Sequence, residues 1–294
     1  MKLPSLTIKQ LLEAGVHLGH KTFRWNPKMS KFIFGSKDSI HIIDLVQTLE
    51  MTKSALQEIH KCVASGGKIL FVSTKKQASD AISSLAKDTG QYYVSHRWLG
   101  GMLTNWQTIS NSIKRYKKLS EDLKNEVTGF TKKEILKMGI QRDKLERSLG
   151  GISEMTKIPD MIFVIDTNVE QLAIKESIKL NIPIVAILDT NSDPDGIDYP
   201  IPGNDDARRS INLYCDLIKQ TILDAQSRVD KTEITQEKKI EQTYAEKEIQ
   251  GKKDKSKNKD DKKSLEKKEK IKAVKKISTS ILSKAKSLVS KKKK

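Results

Sequence analysis

His17 and His20 stand three residues apart, a spacing at which two imidazoles on one helix face can share a metal ion. Gly19 between them works against a helix. No cysteine or carboxylate lies near enough in the sequence to complete a ligand set, so loop or core hydrogen bonding is the simpler account. His41, His60 and His96 are scattered and form no pattern. The acidic run Asp189, Asn191, Asp193, Asp195, Gly196 has the outline of a calcium loop. With Asn191 in first place, however, the position that needs a bidentate glutamate falls on Pro202. Asx-turns fixed by Pro194, Pro200 and Pro202 fit that stretch better. The sequence has no GxxxxGK[ST], no glycine fingerprint after a strand, no GxSxG elbow and no paired carboxylates on an evident shared face. The expectation is a protein with no catalytic residue, no cofactor and no metal, and therefore not an enzyme.

The remaining chemistry is that of cations and rings in loops. Lys21, Phe23, Arg24, Trp25, Asn26, Lys28 and Lys31 interleave bases with aromatics, a composition suited to phosphate contacts and to stacking on exposed bases or sugars. His96, Arg97, Trp98, Asn105 and Trp106 repeat the theme. A tryptophan flanked by glycines, as in RWLGGML, is more often wedged into the core to anchor its loop. Trp98 and Trp106 are accordingly expected inside, and Lys21, Arg24 and Lys28 facing RNA.

These loops need elements to hold them. A short amphipathic helix is expected from Leu6 to Gly15, followed by a polar loop, HLGHKTFRWNPKMSKFIFG. Ile40 to Leu45 reads as a strand. Asp44 or Thr48 can cap the helix that runs on to Ser65, which Gly66 and Gly67 end. The apolar strand Lys68 to Val72, the loop Ser73-Thr74 and a helix from Lys75 to about Asp88 form a strand-loop-helix unit. It recurs at Met161 to Ile165 with a helix through Leu180, and a further strand follows at Ile184 to Leu188. Such fully apolar strands alternating with helices predict a parallel sheet covered on both faces, and a last helix is expected from about Asp205 to Val229. Between the strand pairs, Thr104 to about Gly150 is charged and free of proline. It predicts two helices joined around Gly129, pairing as an antiparallel hairpin over Ile109, Ile113, Tyr116, Leu119 and Leu123 against Ile135, Leu136, Met138 and Leu145.

Charge is unevenly spread. The net formal charge is +18, and residues 230–294 carry 23 bases and 11 acids, or +12, which leaves 32 bases, 26 acids and +6 for residues 1–229. The last segment is a low-complexity lysine-rich tail, expected to be disordered except for a weak amphipathic patch at Ile271 to Val289. A positive body with a more positive tail attracts polyanions, and nucleic acid is the expected one. Cys62 and Cys215 lie far apart without a CxxC, and no apolar run approaches a membrane span, so neither a disulfide framework nor a membrane partner is expected. A doubly wound sheet also allows a competing expectation, a nucleotide- or sugar-phosphate-binding enzyme using Ser73, Thr74 and Thr167 in the loops after its strands.

Five strings occur in order: LLEAGVHLGHKTFRWNPKMSKFIFG from Leu11, IHIIDL from Ile40, RWLGGMLTNW from Arg97, FVIDTN from Phe163 and PIVAILDTNSDPDGIDYPIPGNDDA from Pro183. Together they closely resemble the bacterial and organellar family of small-subunit ribosomal protein two, colinear over about residues 5 to 228. The resemblance implies a flavodoxin-like α/β domain with a protruding two-helix coiled coil. It also implies a structural role between head and body of the small subunit, touching small-subunit ribosomal RNA and helping to hold the large mRNA-binding OB-repeat protein. No small-molecule substrate is implied. Carried onto this sequence, the RNA-facing role falls on Lys21, Arg24, Trp25, Lys28 and Lys31, and further on Arg97, Lys114, Arg115, Lys117 and Lys118. The lysine-rich extension after Val229 departs from the family pattern. The N-terminus lacks an Arg- and Ser-rich transit segment, so a bacterial cytoplasmic protein, or an organelle-encoded one, is expected.

Overall fold

The structure, a computed structural model, describes residues 4–124 and 131–228. The tail and the connection around Gly129 lie outside the described residues. Helix α1 spans Ile8–Glu13 and starts at a capping box: Thr7 Oγ1 accepts from Gln10 N, and Gln10 Oε1 accepts from Thr7 N. Strands β1 (Leu18–Lys21), β2 (Ile33–Lys37) and β3 (Ile40–Ile43) form a small antiparallel sheet in the order β1-β3-β2. In the sequence, β1 and β2 fall inside the stretch expected as a polar loop. Both are short and their pairing shifts register midway, so neither carries the clean alternation that marks a strand.

Helix α2 (Leu45–Ala64) is capped by Asp44, whose carboxylate accepts from Val46 N at 2.9 Å. Strand β4 (Ile69–Val72) leads into α3 (Lys76–Thr89), which ends at Gly90 in the left-handed conformation, φ 64°. Then follow β5 (Tyr92–Val94), α4 (Trp106–Lys124), α5 (Lys132–Leu149), β6 (Met161–Ile165), α6 (Gln171–Lys179), β7 (Ile184–Leu188), β8 (Tyr199–Pro202) and α7, over 208–228.

The main sheet is parallel throughout, in the order β5-β4-β6-β7-β8. Counted along the chain that is 2-1-3-4-5, the flavodoxin-like order, with its switch point between β4 and β6. Strands β4, β6 and β7 are buried on both faces. Ile69, Phe71, Phe163 and Val185 pack with α2, α3 and α7, while Leu70, Val72, Ile162 and Val164 pack with α6, the base of α4 and α5, and Met29 and Phe32. Strand β8 was expected as turns because of its prolines. It is an edge strand, where a proline's missing N–H can point away from the single neighbour.

Helices α4 and α5 pack against each other, with Ile109, Ile113 and Leu149 buried at their base. The expected continuous stripe is not covered along its length: Ile135 and Leu136 are 45% and 66% exposed. Adjacent residues on a helix point about 100° apart, so Ile135 and Leu136 cannot both face one partner helix.

Candidate nucleic-acid interface

The basic loop runs from the end of β1 to the start of β2 through two 3₁₀ turns, Thr22–Arg24 and Pro27–Phe32. Asn26 caps the second by accepting from Lys28 N, and Met29 and Phe32 anchor it by burying completely or nearly so. Such anchoring leaves the residues between facing solvent. Lys21, Arg24 and Lys31 are exposed, Phe23 is 73% exposed with the Arg24 guanidinium 5.5 Å from its ring centre, and Trp25 leans against His41 at 5.4 Å. Lys28 is different. Its ammonium is hydrogen-bonded to Asp193 (2.8 Å) and Asp195 (2.6 Å), which raise its pKa and partly neutralise it.

A second group of cations lies on the helix pair. Lys114, Arg115, Lys117 and Lys118 are exposed on α4, and Arg115 reaches across to Gln141 Oε1 of α5 at 3.5 Å. Arg97 is exposed at the foot of that pair. Trp98 beside it is buried, as expected, and Trp106 is partly buried against the core. Glu176 of α6 organises this foot: its carboxylate accepts from Trp98 Nε1 (3.0 Å), Gly101 N (2.8 Å), Leu103 N (2.9 Å) and Thr104 N (3.1 Å). Among the described residues no ion pair or hydrogen bond joins the basic loop to the α4 cations.

The crevice above the carboxyl ends of β4, β6, β7 and β8 is where this fold ordinarily takes a ligand. Here it holds a cluster that sequence spacing did not reveal. The Lys75 ammonium is paired with Asp166 (3.0 Å), Asp205 (2.7 Å) and Asp206 (2.5 Å), and His20 bridges Asp189 (2.9 Å) and Asp206 (3.4 Å). The expectation that no paired carboxylates share a face is thus corrected, and the carboxylates beside His20 come from segments far from it in the sequence. His20, Asp189 and Asp206 offer ligand atoms within 4.8 Å of one another, a set that could hold a metal ion. The contributors lie up to 186 positions apart in the chain, and only the tertiary fold unites them. The one available signal was that Lys75, Asp166 and Asp189 each follow closely on an apolar strand.

The electrostatics of this crevice follow from burial. Burial, then the charges of Asp166 and Asp189, push the Asp205 carboxyl up to about 7. Burial alone would lower the Lys75 amine, but the surrounding carboxylates outweigh it and hold the amine above its ordinary value. The hydrogen bond to Asp189 raises His20 despite partial burial. The backbone donors that could cradle a phosphate are already engaged. Thr74 N donates to Glu170 (2.6 Å), Asn168 N and Val169 N donate to Asp166, and Asp206 N and Ala207 N donate to Asn204. With four carboxylates facing one lysine and one histidine, a phosphate there would meet repulsion. The crevice is an internal ion cluster that fastens β1 to the sheet ends.

The comparisons with known proteins agree with that geometry. A family model described as ribosomal protein S2 matches residues 11–225. The chain belongs to the ribosomal protein S2 family. A small ribosomal subunit protein uS2 from Parvibaculum lavamentivorans is 58% identical over 224 residues, covering 76% of this chain and 88% of the relative. Proteins of the same name from Sinorhizobium medicae and Brucella suis are each 58% identical over 228 residues, covering 78% of this chain and 89% of the relative. Members of the ribosomal protein S2 family are structural and non-enzymatic, and a crevice occupied by its own ion pairs fits that character. The tail from residue 230 lies beyond the matched region of the family model.

Proposed function

We propose that this chain is a structural constituent of the small ribosomal subunit, working in translation in the bacterial cytoplasm and binding small-subunit ribosomal RNA. The observation that carries the reading is the loop from Lys21 to Lys31, where buried Met29 and Phe32 hold exposed Lys21, Arg24, Trp25 and Lys31 outward, on a chain of this family. Exposed cations make phosphate contacts, and Phe23 and Trp25 offer faces to unstacked bases. Arg97 and the α4 bases Lys114, Arg115, Lys117 and Lys118 extend the contact along the helix pair, read here as a coiled-coil hairpin that reaches into RNA. Lys28 serves chiefly to pin the loop to Asp193 and Asp195.

A second partner is the large mRNA-binding OB-repeat protein of the small subunit. Support for it is the family resemblance together with exposed Leu12, Phe34 and Val46, which line one shallow cavity and offer an apolar seat for a protein. The tail, with its net +12, adds sequence-independent RNA affinity through counterion release.

The test is cosedimentation. The tagged chain is expected in small subunits after washing at moderate salt, and Lys21→Glu, Arg24→Glu and Lys31→Glu together are expected to lower its occupancy. Recovery of the unaltered chain only as free protein would overturn the reading. The competing enzyme reading is opposed by the carboxylates of the crevice, and a flat thermal-shift response to nucleotides and phosphosugars is the expected result.

A further inference from the structure

At the foot of the helix pair, the segment from Tyr93 to Leu99 and the C-terminal half of α5 enclose a cleft of two adjoining cavities, about 350 Å³ and 480 Å³. The two share His96, Asp143, Arg147 and Ser148. Each volume lies in the roughly 300–1,000 Å³ range of clefts that enclose small ligands. We infer that this cleft is a seat for one unpaired nucleotide of single-stranded RNA, its phosphate held by Arg97, Lys144 and Arg147 and its base laid against Leu99 and Ile140. The inference rests on the ribosomal RNA-binding reading above and adds a site and a ligand form to it.

Charge, shape and rigidity all favour that occupant. Arg97, Lys144 and Arg147 are exposed, and among the described residues no ion pair engages any of them, whereas Lys28, Lys61, Lys157 and Lys219 are each paired with a carboxylate. Of the two acids lining the cleft, Asp143 is engaged by Arg142, and Glu146 forms no ion pair among the described residues, one anion against three cations. The cations rim an apolar surface. Ile140 is 61% exposed and Leu99 is partly buried, so a planar base covering both would remove apolar area from water while its phosphate met the rim. A paired base has no face to offer, which points to an unstacked nucleotide.

The walls are fixed before any ligand arrives. Glu176 holds the segment following Arg97 through Trp98 Nε1 and the amides of Gly101, Leu103 and Thr104. On the other side Gly151 lies so close to β5 that a Cβ there would sit 2.1 Å from the Tyr93 carbonyl oxygen. A preformed cleft spares the ordering cost of binding.

The experiment places a cleaving probe beside the cleft. Lys137→Cys, exposed one turn from Ile140 on α5 and outside the lining of both cavities, carries tethered iron-EDTA into assembled small subunits, with the unaltered chain, which has Cys62 and Cys215, treated alike as control. The expected result is strand scission centred on one unpaired segment of the ribosomal RNA, absent from the control. It should fall about fivefold or more when Lys144→Glu and Arg147→Glu are added. Both substituted positions are exposed, and an unchanged melting temperature checks that the variant folds. Scission confined to base-paired RNA, scission unaffected by the two reversals, or no scission from subunits containing the probe-bearing chain at full occupancy would each overturn the inference alone. Absence of the unaltered chain from subunits would overturn the ribosomal reading and the inference with it.

Discussion

The carboxylate of Glu176 is the common acceptor for one indole and three backbone amides, all from a loop with little secondary structure of its own. Burial works to raise its pKa, and the hydrogen bonds from Trp98, Leu103, Thr104 and Gly101 together outweigh it and hold the carboxyl below the ordinary range. A depressed carboxyl contributes stability that is present above the unfolded-state pKa and lost as pH falls through the folded one. Glu176→Ala, which orphans those donors, is expected to cost about 2–4 kcal/mol at pH 7 by chemical denaturation, and less than that below about pH 4. Lys75 poses the opposite problem, since its ammonium is set among Asp166, Asp205 and Asp206. Lys75→Met is expected to cost about 3–5 kcal/mol at pH 8, because it leaves buried carboxylates without a counter-charge. The sign with pH follows from Asp205. Its folded pKa is raised, so the folded state binds the extra proton, and stability rises as pH falls toward about 5. Part of the loss in Lys75→Met should therefore return between pH 8 and about pH 5.5, and a melting temperature flat across that range would contradict the account.

At the scale of elements, the small antiparallel sheet presents the loop, and the helix pair presents the second set of bases. Gly19 joins the first to the main domain: His20 N donates to Thr190 Oγ1 at 2.9 Å, and a Cβ on Gly19 would lie 2.5 Å from Thr190 Cγ2. Gly19→Ala is expected to destabilise by about 1–3 kcal/mol in a thermal melt, because β1 must lift from the end of β7. Lys114, Lys117 and Lys118 on α4 behave differently, since they are exposed and their side chains join no hydrogen bond or ion pair among the described residues. Reversing Lys114, Lys117 and Lys118 to Glu should leave the melting temperature within the ordinary scatter of surface changes. It should also flatten the salt dependence of RNA binding by roughly one logarithmic unit per base that contacts phosphate. An unchanged slope would remove those bases from the interface.

For the whole molecule, the folded body and the tail contribute charge of different kinds. Residues 1–229 carry +6, the balance of 32 bases and 26 acids; the tail carries +12 over 65 residues of low complexity. Deleting residues 230–294 is expected to lower RNA affinity at low salt, with little loss at high salt, where condensed counterions no longer drive binding. Filter binding across a salt series measures this, and parallel curves for the two proteins would show that the tail is uninvolved.

Much of the architecture was legible in the chain itself. ILFV, MIFVI and IVAIL read as strands buried on both faces, since each is apolar throughout and a helix follows the loop after the first two. Asp44, Gly66 and Gly90 marked helix ends because a cap or a left-handed turn is a local requirement. Strands β1, β2, β5 and β8 were missed because pairing with a neighbour, not local pattern, makes them strands. The basic loop was legible as composition, and tertiary structure then separated Lys28, engaged by Asp193 and Asp195, from Lys21, Arg24 and Lys31. Only the fold could create the Lys75 cluster or the cleft at Arg147. Periodicity is a property of neighbours in sequence, whereas a charge cluster is a property of neighbours in space. The 2-1-3-4-5 strand order brings Asp166, Asp189 and Asp205 to one end of the sheet, from segments that carry no sign of one another.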